Sequence, residues 1–204
     1  MSADFVQHFG AALHYYDSVD STQQAARAAV HAGAPEGSVF VAEQQTAGRG
    51  RHGHHWVSPP GAGIYASLVL RPRRPVNKLL WLSLAAGLGV ADGVEQCCGV
   101  HSELRWPNDL LLGGRKFCGL LLEAETEAAV LGFGINVRRT ALPSELSAIA
   151  TCLDEHTAVR CDRALLCRAV VDALLRRYAA WNGGDDEAVR REFECRSRYA
   201  RGLP

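Results

Sequence analysis

Between Gly48 and Trp56 the chain reads Gly-Arg-Gly-Arg-His-Gly-His-His-Trp, two guanidinium groups alternating with glycines. Arginine carries forked donors that match carboxylate or phosphate oxygens and stays charged when desolvated. Glycine lets backbone N–H groups approach a ligand closely. Each charge-assisted bond is worth roughly 1.5–3 kcal/mol, set against about 1–2 kcal/mol for every loop residue that is fixed. The segment is therefore expected to bind an anion, mobile when empty and ordered when filled; a solvated basic loop is the plainer reading of the same residues. It lacks the Gly-Lys-Ser/Thr ending of a P-loop and the spacing of a dinucleotide fingerprint.

Three further clusters have chemical potential. Arg105-Trp106-Pro107-Asn108-Asp109, followed by Lys116 and Gly119, would place two cations and a carboxylate on one hairpin. Such a hairpin could bind an anion and position a metal-bound nucleotide, or be only a strand bend with turn residues. Lys116 is a compact point charge able to bridge a carboxylate and a phosphate. In Gly132-Phe133-Gly134-Ile135-Asn136 the glycines interrupt a strand, which signals close approach of a ligand or backbone, or a core bulge. Asp20-Ser21-Thr22-Gln23 reads as a helix N-cap, or as hydroxyls and N–H groups holding a polar ligand head.

The elements that position these residues follow from periodicity. Strands are expected at 13–17, 38–43, 63–71, 101–106, 109–112, 115–124 and 128–136, with Gly113-Gly114 as a two-residue hairpin turn. Helices are expected from Ser21 to Gly33, from Lys78 to about Gln96, over Asp162–Trp181 and from Asp185 to about Tyr199. The apolar side of the third should carry Leu165, Leu166, Ala169, Val170, Ala173, Leu174, Tyr178 and Trp181. Glycines at 87, 89 and 93 in the apolar second helix predict close packing against a neighbour. Gln44 to Pro60 is too long for an ordinary connection. Strands joined by hairpins, without βαβ alternation, point to an α+β domain with a mixed, mostly antiparallel sheet.

With 22 basic and 22 acidic residues the formal net charge is zero, which argues against wholesale nucleic-acid binding. No apolar run reaches the roughly 18–20 residues of a membrane span, and the first five residues do not open a signal peptide. Seven cysteines, at 97, 98, 118, 152, 161, 167 and 195, form no Cys-x-x-Cys pair. Buried or free thiols in a reducing cytoplasm are expected, with no metal cluster made by the protein itself.

Taken in order, Ser-Thr-Gln, then Gly48-Arg49-Gly50-Arg51-x-Gly-x-x-Trp56, then Trp106-Pro107-Asn108-Asp109 with Lys116 and Gly119, then Gly134-Ile135-Asn136 resemble the catalytic domain of biotin–protein ligases, from about Leu13 to Ser197. The resemblance is to monofunctional bacterial members. It implies a domain related to class II aminoacyl-tRNA synthetases and lipoate ligases, which makes biotinyl-AMP from biotin and ATP and passes biotin to a carrier lysine. Carried over by position, Ser21, Thr22, Gln45, Gly48, Arg49, Arg51, Lys116, Gly119 and Leu120 would meet biotin. Arg51, Trp56, Asn108, Asp109, Gly134 and Asn136 would meet ATP or the adenylate. Lys116, Arg49 and Arg51 would carry the catalysis, with Mg²⁺ arriving on ATP.

The resemblance further implies a biotin carboxyl carrier protein, as of acetyl-CoA carboxylase, as partner, no nucleic acid or membrane partner, and a cytoplasmic setting; a homodimer stays open. One catalytic domain is expected over 1–204, with no helix-turn-helix before it and the family's SH3-like C-terminal domain absent or truncated. Two positions depart from the usual pattern: His54 and Arg105 stand where the family commonly has arginine and lysine. A lipoate or octanoyl ligase, or a biotin-binding module with impaired catalysis, remains the alternative.

Overall fold

The structure is a computed structural model that describes residues 2–197. Its strands are β1 (Leu13–Val19), β2 (Val39–Gln45), β3 (Gly63–Leu70), β4 (Glu103–Arg105), β5 (Asp109–Leu112), β6 (Arg115–Glu125) and β7 (Ala128–Asn136). They form one sheet in the order β1-β2-β3-β7-β6-β5-β4. Helix α2 (Thr22–His31) connects β1 to β2, so that pair is parallel; every other pair is antiparallel. The expected mixed, mostly antiparallel α+β sheet is the one observed. Gly113 and Gly114 turn β5 into β6 with φ of 54° and 77°, a left-handed pair that favours glycine.

One sheet face is covered by α3 (Leu79–Cys98) and α4 (Arg163–Asn182), flanked by α1 (Ser2–Phe9) and α5 (Asp186–Arg196). Ile64, Ala66, Leu68 and Leu70 of β3 and Leu131, Phe133 and Ile135 of β7 point into this core, two apart as a pleated strand requires. The glycines of α3 do pack closely. A Cβ at Gly93 would lie 2.6 Å from Val170 Cα, and one at Gly89 2.9 Å from Leu174 Cα. Leu165, expected on the apolar side of α4, is exposed; Leu166 is buried as expected, and Cys167 turns inward beside it.

Helix α1 is not anticipated by the sequence reading; Phe5 and Phe9, one helical turn apart, dock it on the core. The last expected helix is described only to Arg196, and its extension to Tyr199 falls outside the described residues. On the opposite sheet face α2 covers one part, with Ala26 and Val30 against Phe40, Val69 and Val130. The remainder of that face carries Ser67, Gly132 and Gly134, two and four residues along from Val69 and Val130, and there the site lies.

Candidate active site

The segment read as a long loop folds back on itself. Trp56 N donates to Gly48 O at 2.9 Å, Gly50 N donates to His54 O at 2.7 Å, and Arg49 bridges His55. The result is a short hairpin whose tip is turned by His52 (φ 55°) and Gly53 (φ 79°). Gly48 is buried at its base, where a Cβ would collide with the Trp56 carbonyl, so this glycine serves the hairpin's own closure. Arg49 is exposed on the cavity rim, and Arg51 is held by Nη1 donating to Asn108 Oδ1 at 3.2 Å.

Beneath the hairpin Lys116 rises from β6. A bulge between the Leu110–Cys118 and Leu111–Lys116 pairs adds Phe117 to β6 and brings Lys116 and Gly119 to one face, although they are three residues apart. Lys116 Nζ lies 2.7 Å from Asp109 Oδ1, whose other oxygen accepts from Arg105 Nη2 at 2.7 Å. Asp109 thus anchors both cations, and Lys116 lies 5.3 Å from the centroid of the Trp56 ring. Trp56 itself lies over the two strand glycines. A Cβ at Gly134 would collide with its indole, and one at Gly119 would sit 3.2 Å from it and 3.0 Å from Lys116 Nζ. The close approach foreseen at Gly134 is therefore the chain's own tryptophan.

Ser21 stands at the N-cap position of α2, yet its side chain makes no cap bond: the hydroxyl is buried without a partner among the described residues. Ser21 is thus the N-cap by position and backbone, its carbonyl accepting from Ala25 N at 3.0 Å, without side-chain capping, and the residue lines the cavity. Thr22 donates from its backbone N–H to Gln45 Oε1 at 2.9 Å, and Gln45 Nε2 donates to Ser58 Oγ at 2.9 Å. Gln23, read as part of the Asp20–Gln23 cluster, lines the cavity, whereas sequence reading missed Ser67, which also lines it, and Ser58, which holds Gln45. Ser67 donates to Gln23 Oε1 at 3.1 Å and lies 3.0 Å from Thr22 Oγ1. The signal for Ser67 was a lone serine in an otherwise apolar and aromatic strand. Leu120 lines the cavity, yet its side chain belongs to the core, and Asn108 Nδ2 holds its carbonyl at 2.8 Å.

These groups enclose a cavity of about 320 Å³, running from Ser21, Thr22 and Gln45 to Arg51, Asn108 and Lys116. A second, of about 450 Å³, is bounded by Arg105, Asn136, Leu142, Leu146 and Ile149. Lys116, Trp56, His54 and His55 border both. Asn136 is buried and donates Nδ2 to Thr151 O at 3.1 Å, and the Trp56 indole N–H is buried without a partner among the described residues. Two small-molecule compartments meet at one ammonium group, an arrangement suited to joining an anion in the first to an activated group in the second. Burial pushes the thiols of Cys118 and Cys167 up, that of Cys167 to about 12. Neither is a thiolate at neutral pH, so neither serves as a nucleophile.

Comparison with known proteins places these features in a context. The family described as the biotin/lipoate A/B protein ligase family matches residues 15–138. The bifunctional ligase/repressor BirA of Bacillus subtilis is 38% identical over 176 residues, 83% of this chain and 54% of that protein. The biotin–[acetyl-CoA-carboxylase] ligase of Mycobacterium tuberculosis is 38% identical over 166 residues, 79% of this chain and 61% of that protein. The chain thus spans about half the length of the curated relatives it matches. Among solved structures, the biotin protein ligase from Aquifex aeolicus in complex with biotin and ATP superposes with a TM-score of 0.83 at 32% identity, covering 92% of this chain and 78% of that one.

Proposed function

The chain belongs to the biotin/lipoate A/B protein ligase family, and from that premise we propose that it activates biotin with ATP to biotinyl-AMP and pyrophosphate, then transfers biotin to a lysine of a carrier protein. The observation that carries the reading is the position of Lys116, on the wall shared by the two cavities and under Trp56. Biotin occupies the first cavity. Its ureido ring offers two N–H donors and one carbonyl acceptor to the corner made by Ser21, Thr22 and Gln45, where the Ser21 hydroxyl has no partner among the described residues. A dithiolane ring offers that corner no such groups, which separates biotin from lipoate. The nucleoside of ATP occupies the second cavity, beside Trp56 and Asn136.

In the first step a carboxylate oxygen of biotin attacks the α-phosphorus, and the bond to the bridging oxygen breaks to release pyrophosphate. Lys116, Arg49 and Arg51 offset the repulsion between the two anions and the charge that develops in the transition state. Among the described residues no group of three or more His, Cys, Asp or Glu side chains could hold a metal ion, so Mg²⁺ would enter on the triphosphate and neutralise part of its charge. The hairpin over the site keeps water from the mixed anhydride. In the second step the carrier's amine attacks the acyl carbon, AMP leaves, and the amine proton goes to solvent. We assign the carrier as a biotin carboxyl carrier domain and the setting as cytoplasmic, where ATP is supplied. No described helix is long and apolar enough to cross a membrane.

The test is mass spectrometry of a biotin carboxyl carrier domain after incubation with this protein, Mg²⁺ and ATP, with biotin or lipoate. The proposal expects one biotinyl adduct on one lysine. An adduct formed only from lipoate would overturn it.

A further inference from the structure

Two cysteines that stand 63 residues apart in the chain meet in the core. Cys98 is the last residue of α3, and Cys161 directly precedes Asp162, the N-cap of α4. Their Sγ atoms lie 2.7 Å apart, inside the contact distance of two unbonded sulfurs. Both backbones are held in place. Thr157 Oγ1 donates to Cys98 O at 3.1 Å, and Arg138 Nη2 donates to Cys161 O at 2.7 Å. Joining the two sulfurs therefore asks for little movement of either helix. The pair belongs to no group of three or more His, Cys, Asp or Glu side chains that could hold a metal ion among the described residues.

Cys161 is buried, yet it lines a cavity of about 300 Å³ with Asp4, Phe5, Arg138 and Arg160, remote from both cavities of the candidate site. That cavity gives a small oxidant a route to its sulfur. We propose that Cys98 and Cys161 form a dithiol that a hydroperoxide converts reversibly to a disulfide. In the first step the Cys161 sulfur attacks a peroxide oxygen and the O–O bond breaks, leaving a sulfenic acid; the thiol proton leaves with the departing oxygen. Cys98 then attacks Cys161 Sγ, the S–O bond breaks, and water carries off the Cys98 proton. Two thiols are oxidised to one disulfide while the peroxide is reduced, and an external dithiol restores the pair by exchange. Burial holds the Cys98 thiol above its ordinary value, which suits it to the second step. The bond fastens the end of the connector from β7 to α4. Along its course that connector supplies Leu142, Leu146 and Ile149 to the second cavity and the Thr151 carbonyl to Asn136. In a reducing compartment the pair is a dithiol, bridged only under oxidative challenge.

The experiment treats the full chain with hydrogen peroxide under native conditions, blocks remaining thiols with iodoacetamide in denaturant, and maps tryptic peptides without reductant. Cleavage after Lys78, Arg105, Arg160 and Arg163 puts Cys97 and Cys98 in one peptide, 79–105, and Cys161 in another, 161–163. The two should appear joined, lighter by two hydrogen atoms than their sum, and should separate on adding dithiothreitol. The oxidised protein should melt roughly 5–10 °C above the reduced one, because the cross-link restricts the unfolded chain. Cys97→Ser should keep the link and the shift; Cys98→Ser should lose both. Fragmentation between residues 97 and 98 of the joined peptide makes the same assignment in the parent, without any variant. Oxidation of the exposed Cys195 while both peptides stay unlinked would overturn the proposal. So would a link that runs through Cys97, or a linked protein with an unchanged melting point.

Discussion

The Ser21 hydroxyl is buried in a residue only 1% exposed and has no partner among the described residues. An unsatisfied buried hydroxyl costs about 1–3 kcal/mol, so Ser21→Ala should raise the stability of the ligand-free protein by roughly 1 kcal/mol. The same substitution should weaken biotin binding about five- to tenfold, the value of one hydrogen bond. Urea denaturation and biotin titration of this one variant measure both effects, and a loss of stability would show that the hydroxyl is satisfied within the fold. Arg51→Ala removes the link to Asn108 that ties the hairpin to the floor. Release of biotinyl-AMP should then quicken by about tenfold or more, one charge-assisted bond being lost; an unchanged off-rate, followed by chase, would contradict the clamp. Arg49 and Arg51 stood out in the sequence because charge beside glycine has few structural uses, and Lys116 because it follows Trp-Pro-Asn-Asp on the return strand of one hairpin. Ser58 and Ser67 were not legible, since their role exists only where separate segments meet.

At the scale of elements, the site depends on how closely Trp56 lies against β7. Gly134→Ala would push the indole off the sheet, displacing the wall common to both cavities. The expectation is at least a tenfold loss of nucleotide affinity with little change in unfolding midpoint, read by calorimetry and thermal melts; a tight-binding variant would show that the ring is free to move. Far from the site, Arg74 and Lys78 hold Asp186 at the start of α5, and the hydrogen bond from Arg74, followed by that from Lys78, keeps its carboxyl below its ordinary range. A depressed carboxylate contributes stability above its unfolded range and loses it as pH falls through the folded one. Asp186→Asn should therefore be less stable than the parent near neutrality, with the gap closing under acid, as a pH series of denaturation curves would show. Strand positions, and helix positions other than α1, were readable from period two and period 3.6. The bulge that turns Lys116 toward Gly119 was not, because pairing with β5 creates it and no local pattern marks it.

For the whole molecule, the sequence pattern already implied an α+β sheet, since hairpin signals cluster in the middle of the chain and helices lie mainly outside them. The division of labour between the sheet's faces was hidden: both faces of β3 are buried, so its apolar run cannot tell which side bears a helix pair and which bears a cavity. Thiol chemistry offers a global check on this packing. Cys98, Cys118, Cys152, Cys161 and Cys167 are buried, and Cys195 is exposed. Iodoacetamide at mildly alkaline pH should modify Cys195 first and reach the buried five only as the protein unfolds. Early labelling of Cys118 would mean that the floor behind Lys116 is open.

The central claim is that Lys116, between two compartments, lets a carboxylate attack the α-phosphorus of ATP. Its most direct test is rapid-quench analysis of the protein mixed with biotin, Mg²⁺ and ATP labelled at the α-phosphorus, with no carrier present. The account predicts label in a biotin–AMP adduct up to one equivalent of protein, and almost none for Lys116→Ala although that variant remains folded. An adduct formed equally well by Lys116→Ala, or no adduct from the parent with biotin, would contradict it.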